Sequence, residues 1–329
     1  MDCKGRIMFK IVSKRLLSPA ITEMKVLAPR VAESALPGQF VIVRVDEFSE
    51  RIPLTICDYD PAAGTVTIVT QTIGRSTEKI NALKEGDFFL DFAGPLGQPS
   101  DLVELFPSDT APSADTPYCE ADTARSADTP YCEADTAHSA DTSYCEADTA
   151  HSADTHRVLF VAGGVGTAPV YPQAKWLAEH GVRADVIIGA KTADLFTYVD
   201  EMKEVADVYL CTDDGSAGFH GMVPALMEDL IVRQGKKYDH CVIIGPMIMM
   251  KFATLKAKEH GLPAVVSLNA LMVDGTGMCG ACRVTVGGQT RFTCVEGPEF
   301  DGWQVDFDEA MRRQAMYRGN PKTDCTCLG

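Results

Sequence analysis

Beyond residue 157 the chain alternates short apolar runs with helix-like stretches: VLFVAGGVG, YPQAKWLAEHG, ADVIIGAKT, FTYVDEMKEV, DVYLCTDDGS and HCVIIGPM follow one another. Strands this apolar are buried on both faces, and parallel strands reach that state when helices carry the chain back across the sheet. The pattern predicts a doubly wound parallel sheet over residues 158–268. Its first strand runs into Gly163, Gly164, Val165, Gly166, Thr167, Ala168 and Pro169. A glycine-rich turn from strand to helix lets backbone N–H groups approach a diphosphate where the helix N-terminus favours negative charge. GGVGTAP is not the GxGxxG spacing, so a tight turn without a ligand is the competing reading. Asp213, Asp214, Gly215 and Ser216 follow a second strand, and Gly245, Pro246 and Met247 a third. Ligands of open α/β sheets collect outside the carboxyl ends of strands, where the three turns are expected to converge.

The first 99 residues have another texture. Apolar or alternating runs at 7–16, 21–27, 39–45, 54–58, 65–70 and 87–92 are separated by Pro-Gly, Ala-Ala-Gly and Glu-Gly-Asp. Six short strands with such punctuation predict a small β-barrel. Within it, Arg51, Ile52, Pro53, Leu54 and Thr55 suit a flavin: an arginine forks onto a diphosphate, and a threonine hydroxyl reaches a ring nitrogen. Gly74, Arg75, Ser76 and Thr77 suit a phosphate ahead of a helix expected near Glu78. A salt-bridged strand end and an ordinary helix cap are the structural alternatives.

In the last segment, 269–329, Cys279, Cys282 and Cys294 lie in MVDGTGMCGACRVTVGGQTRFTCVEGP. The plant-type iron–sulfur spacing places four residues between the first and second ligands and two between the second and third, which puts Asp274 in the first position. Gly275, Gly277 and Gly280 allow the positive dihedrals of a loop wrapped tightly around a cluster. A structural zinc site would need a fourth ligand and prefers paired CxxC motifs; an Asp-Gly turn beside inert thiols is the other alternative. Cys325 and Cys327 are rival fourth ligands, although a frayed terminus is the simpler reading of that tail. Cys211 and Cys241 fall in or at the end of apolar strands and read as core residues.

Between barrel and sheet, residues 100–157 hold three near-identical 13-residue units, SADTPYCEADTAR, SADTPYCEADTAH and SADTSYCEADTAH. Ser113 to Thr155 carries ten acidic residues and one arginine, so −9 of the chain's formal −16 resides there. With neither stripe nor alternation to bury, the repeat is expected to be a disordered, solvated insertion, and its cysteines lack metal-ligand spacing. The acidic balance disfavours nucleic-acid and anionic-membrane partners. No apolar run suggests a membrane span, and MDCKGRIMFK lacks a secretory signal's apolar stretch, so a cytoplasmic location with reduced thiols is expected.

The order RxPLT, GRST, GPLG, GGVGTAP, TDDGS, GPM, then the cysteine loop, resembles the ferredoxin-reductase-like flavoproteins across nearly the whole chain outside residues 100–157. It is most similar there to two kinds of iron–sulfur subunit, the electron-transfer subunit of dihydroorotate dehydrogenase and the alpha subunit of NADH-dependent reduced ferredoxin:NADP oxidoreductase. The resemblance implies an FAD-binding barrel, a nicotinamide-nucleotide domain and a small 2Fe-2S domain. It implies FAD contacts at Arg51, Pro53, Leu54 and Thr55, with Gly74, Ser76 and Thr77 at the diphosphate. It places Gly163, Gly164, Gly166, Thr167, Asp213, Asp214, Gly245 and Pro246 around NAD(H), and Asp274, Cys279, Cys282 and Cys294 on the cluster. Leu54 stands where many relatives have an aromatic residue, and Asp274 matches the ferredoxin:NADP oxidoreductase subunit better than the four-cysteine dihydroorotate subunits. The implied activity moves electrons from NADH through FAD and the cluster to a second flavin or iron–sulfur subunit, and through that subunit to ferredoxin. No catalytic acid–base pair is required, because the cofactors carry the chemistry. Lys191, after the second strand of the sheet, leaves NADP(H) possible. A non-catalytic interaction protein with relic cofactor sites is the alternative of another class; a stand-alone NADPH–ferredoxin reductase would not need its own iron–sulfur loop.

Overall fold

The computed structural model describes residues 8–107 and 157–316. The repeat, Cys325 and Cys327 lie outside the described residues, as do the expectations placed on them.

The N-terminal strands are β1 (Phe9–Ser18), β2 (Ile21–Leu27), β3 (Phe40–Arg44), β4 (Ile52–Asp60), β5 (Thr65–Gln71), β6 (Phe88–Phe89) and β7 (Asp91–Leu96), with helices α1 (Pro29–Ser34) and α2 (Arg75–Ala82) between them. They form one antiparallel sheet in the order β6-β1-β2-β5-β4-β3-β7. Its two edge strands are consecutive in sequence, so the sheet nearly closes into the expected barrel. Alternating residues supply the interior: Met24 and Val26, Val41 and Val43, Val66 and Ile68, joined by Phe89 and Phe92. The last expected run, 87–92, divides into β6 and β7, and a ladder continues past it to Leu96. The helix expected near Glu78 begins at Arg75, because Gly74 is its N-cap and Thr77 closes the first turn: the Thr77 hydroxyl accepts from the amides of Ile73 and Gly74 at 2.9 and 3.1 Å.

A short helix, α3 (Leu102–Leu105), leads out of the barrel. The second sheet uses β8 (Val158–Gly163), β9 (Ala184–Ala190), β10 (Ala206–Thr212), β11 (Phe219–His220), β12 (His240–Ile244) and β13 (Ala264–Ser267). Helices α4 (Thr167–Glu179), α5 (Val199–Val205), α6 (Val223–Glu228) and α7 (Met247–Glu259) connect them. These six strands are parallel, in the order β11-β10-β9-β8-β12-β13. The order reverses between β8 and β12, the switch point at which such sheets bind ligands. Apolar alternation fills both faces. Val158, Phe160 and Ala162 pack toward α4 and α5, while Leu159 and Val161 pack toward α6 and α7.

The C-terminal segment contributes a hairpin, β14 (Arg283–Val286) and β15 (Gln289–Phe292), a single turn α8 (Thr293–Glu296), strand β16 (Glu299–Asp301) and helix α9 (Phe307–Ala315). β16 pairs antiparallel with β13 and completes a seven-stranded sheet. The segment after the cysteine loop is thereby laddered onto the parallel sheet. Among the described residues, no helix is long and apolar enough to cross a membrane.

Candidate functional site

β4 is the spine of the site. Between Ile52 and Thr55 it pairs with β3 alone, since its ladder with β5 starts at Ile56. Proline, which cannot donate to a ladder, is tolerated at such a one-sided position, and Pro53 occupies it. Side chains alternate along the strand. Ile52, Leu54 and Ile56 pack toward the barrel core, whereas Pro53, Thr55 and Cys57 share the opposite face. Leu54 is thus spent on the barrel.

The cross-strand partners of Pro53 and Thr55 are Ile42 and Phe40. Both are buried under Met272, Cys282 and Cys294 of the cysteine loop. Directly opposite residues of an antiparallel pair hold their Cβ atoms about 4.5–5.5 Å apart. The cysteine loop and the RxPLT strand therefore meet on one barrel face. Further contacts fix the seam: Gln98 donates its amide to the Gly297 carbonyl at 2.7 Å and its side-chain Nε2 to the Val295 carbonyl at 2.8 Å. At the other end of β4, Cys57 packs with Val69, Ala168, Tyr198 and Val165, the central residue of the glycine-rich turn.

Gly74, Ser76 and Thr77 stand beside Arg51 through Glu50, whose carboxylate accepts from the Ser76 hydroxyl. The Thr77 hydroxyl also donates to the Gly74 carbonyl at 2.9 Å, so the Thr77 side chain serves the helix end while that of Ser76 is held by Glu50. The donors left over there are the first-turn amides of α2, which have no intrahelical acceptor.

At the switch point the turns after β8 and β12 interlock. A Cβ added to Gly166 would lie 2.4 Å from the Ile244 carbonyl oxygen, and one on Gly245 would lie 3.1 Å from the Gly163 nitrogen. Gly164 takes a φ of 56°, its carbonyl accepting from the buried Thr167 hydroxyl at 3.0 Å. Pro246 caps α7. Asp213 and Asp214 sit further along the same edge, at the end of β10, and their amides donate to the carbonyls of Ala190 and Lys191 at the end of β9. The Ser216 hydroxyl and amide hold the Asp214 carboxylate below its usual acidity range. All three turns lie on one sheet edge, but β9 separates the third from the switch point.

In the cysteine loop, Gly275, Gly277 and Gly280 all have positive φ. Asp274 organises the loop: one carboxylate oxygen accepts from the Thr276 amide and hydroxyl, the other from the Cys279 amide at 3.0 Å. Cys282 and Cys294 are buried neighbours, the Cys294 amide lying 3.4 Å from the Cys282 sulfur. Burial, then the Cys282 thiol, pushes the Cys294 thiol up to about 12. A thiol so placed stays protonated unless a cation holds the thiolate. Cys279 is exposed. No three His, Cys, Asp or Glu side chains among the described residues converge to hold a single ion. Donors arranged instead as two pairs, Asp274 with Cys279 and Cys282 with Cys294, suit a two-iron cluster, which takes two protein ligands at each iron.

Sequence reasoning overlooked Phe40 and Ile42. The signal was present: Phe40, Val41, Ile42 and Val43 form a continuous apolar run, and an antiparallel barrel strand with water on its outer face would alternate. It also overlooked Glu299, whose carboxylate is sequestered where barrel, α4 and β16 meet; no local pattern marks it.

A nearly closed flavin-type barrel, a doubly wound sheet and an iron–sulfur loop seated between them define an electron-transfer oxidoreductase of the ferredoxin-reductase type. Residues 269–306 match the iron–sulfur cluster binding domain of dihydroorotate dehydrogenase B. An uncharacterized Clostridium beijerinckii protein, described as in the adh 3' region, is 48% identical over 94% of this chain and 91% of its own length. A Thermotoga maritima homolog of the dihydroorotate dehydrogenase B (NAD(+)) electron transfer subunit is 41% identical over 97% of this chain and 94% of its own. A chain from the structure of NADH-dependent reduced ferredoxin-NADP oxidoreductase, reported in the context of flavin-based electron bifurcation, superposes with a TM-score of 0.75 at 40% identity, covering 95% of both chains. This chain belongs to the family of dihydroorotate dehydrogenase B electron-transfer subunits and their homologues.

Proposed function

We propose that this chain accepts hydride from NADH and releases the electrons singly to a partner subunit, as the similarity to NADH-dependent ferredoxin-NADP oxidoreductase suggests. When bound, FAD supplies the conversion of a two-electron donor into one-electron traffic, and a 2Fe-2S cluster supplies the relay. The observation carrying this reading is β4: its Pro53–Thr55–Cys57 face touches the cysteine-loop floor at one end and the glycine-rich turn at the other.

The protein's part is to bind and orient. Arg51 offers a guanidinium whose buried Nε has no acceptor among the described residues, the requirement an anionic cofactor would meet. Pro53, Leu54 and Thr55 present the open strand edge for the flavin ring, and Gly74, Ser76 and Thr77 the amides of α2 for its diphosphate. Gly163, Gly164, Gly166, Thr167, Gly245 and Pro246 cradle NAD(H), with Asp213 and Asp214 further along the edge. Asp274, Cys279, Cys282 and Cys294 hold the cluster. Phe40, Ile42 and Met272 exclude water behind Cys282 and Cys294, whereas Cys279 and the 89% exposed Met278 form the face toward the partner. In this reading ferredoxin is reached through that partner. Dihydroorotate oxidation by the partner is the second reading, favoured by the names of several relatives.

Anaerobic purification with assay of flavin, iron and acid-labile sulfide tests the cofactor content, and the subunit that co-purifies decides between the two readings. Colourless protein with stoichiometric zinc would overturn both.

A further inference from the structure

Arg51 stands at the boundary between the flavin-type strand and the cysteine loop. Its Nη2 points at the carbonyl oxygen of Asp274, 3.5 Å away, and its Nη1 lies 3.7 Å from Asp91 Oδ2. Asp91 is already engaged by Arg44 at 2.7 Å, so it only partly balances the Arg51 charge. Nε is buried without an acceptor among the described residues. The Asp274 contact is long for a hydrogen bond, so Arg51 acts on the loop mainly as a charge. The loop cannot drift from that charge, because Gly275 is pressed onto Ile42 of β3.

Resting on the flavin and cluster assignments above, we propose that Arg51 couples the two sites: one guanidinium both receives the flavin's diphosphate and tunes the reduction potential of the cluster. Reduction adds one electron to the cluster, and a fixed cation at its edge stabilises the added negative charge. A diphosphate drawn to the same guanidinium offsets that cation. The cluster potential is therefore higher in flavin-free protein than in flavin-bound protein. By linkage, cluster reduction weakens flavin binding by the factor by which flavin binding disfavours reduction. Arg51 is here a positioning and electrostatic residue, acting on the iron site without ligating it.

The test is a dithionite titration with redox mediators, read from the cluster's paramagnetic resonance signal. It uses the full-length chain as wild type, Arg51→Lys and Arg51→Gln, each with and without FAD. Flavin-free Arg51→Gln is expected to titrate at a lower potential than flavin-free wild type, and Arg51→Lys close to wild type. FAD is expected to lower the wild-type potential and to shift Arg51→Gln less. Coincident flavin-free potentials of wild type and Arg51→Gln would overturn the proposal. So would a wild-type potential indifferent to FAD, which still decides the matter if Arg51→Gln assembles no cluster. Wild-type protein lacking flavin, iron or sulfide by direct assay would overturn the functional reading and this inference together, before any potential is compared.

Discussion

Asp274 and Gly275 carry the sharpest consequences of the cysteine loop. A carboxylate is a harder donor to iron than a thiolate, so Asp274→Cys is expected to keep a 2Fe-2S cluster with an altered resonance spectrum and potential. Asp274→Ala is expected to lose iron while retaining flavin, since the barrel contacts do not pass through its carboxylate; iron and sulfide per chain check this. Asp274 also accepts three hydrogen bonds within the loop, so the alanine variant removes the ligand proposed above together with an organiser of the loop. Gly275 has a φ of 81°, and an added Cβ would stand 2.4 Å from Ile42 Cδ1. Gly275→Ala is expected to cost about 1–3 kcal/mol through backbone strain and overpacking, seen as a lower melting temperature and faster cluster loss. The need for glycine was legible from spacing alone. Its second cause, the pressure of Ile42, was not, because it depends on a strand more than 200 residues away in sequence.

β8, β12 and the helix that follows β8 were readable as elements because both strands' apolar runs are continuous and end in glycine. Their interlocking was not readable, since it arises from adjacency across the switch point. Gly166 shows the difference: its φ of −63° suits any residue, yet its Cβ position is blocked by the Ile244 carbonyl. Gly166→Ala is therefore expected to push α4 away from β12 and weaken nucleotide binding at least about tenfold, equivalent to about 1.4 kcal/mol. Titration of NADH against flavin absorbance measures the effect, and flavin content itself is expected to stay unchanged. The start of α2 was misplaced for a local reason: Ser76 and Thr77 are adequate first-turn residues once Gly74 serves as the cap. β16 gave no sequence signal as part of the nucleotide sheet, because three residues are too few to carry a period.

Glu299 is where barrel, nucleotide sheet and iron–sulfur segment join. Its Oε1 accepts from Gln173 of α4 at 2.7 Å, Gln173 lies 3.5 Å from Ser100 beyond β7, and Oε2 is buried with no hydrogen-bond partner among the described residues. Burial, opposed by the Ser100 and Gln173 hydrogen bonds and aided by Asp101, pushes the carboxyl from an ordinary 4.5 up to about 7. The folded state thus keeps a proton that the unfolded state has lost. Stability is fully supported below pH 4.5, falls as pH rises toward 7 and is level beyond, by at most about 3 kcal/mol for a shift of this size. Glu299→Gln is expected to flatten that slope in denaturant titrations between pH 5 and 8, raising stability at the alkaline end. The three cofactor regions join in this way along β4 and at Glu299, and the order of motifs was legible while their shared face was not. NADH mixed anaerobically with the isolated full-length chain tests that shared face most directly. Flavin bleaching accompanied by the resonance signal of a reduced 2Fe-2S cluster is the predicted result; bleached flavin beside a cluster that stays oxidised, yet is reducible by dithionite, would contradict it.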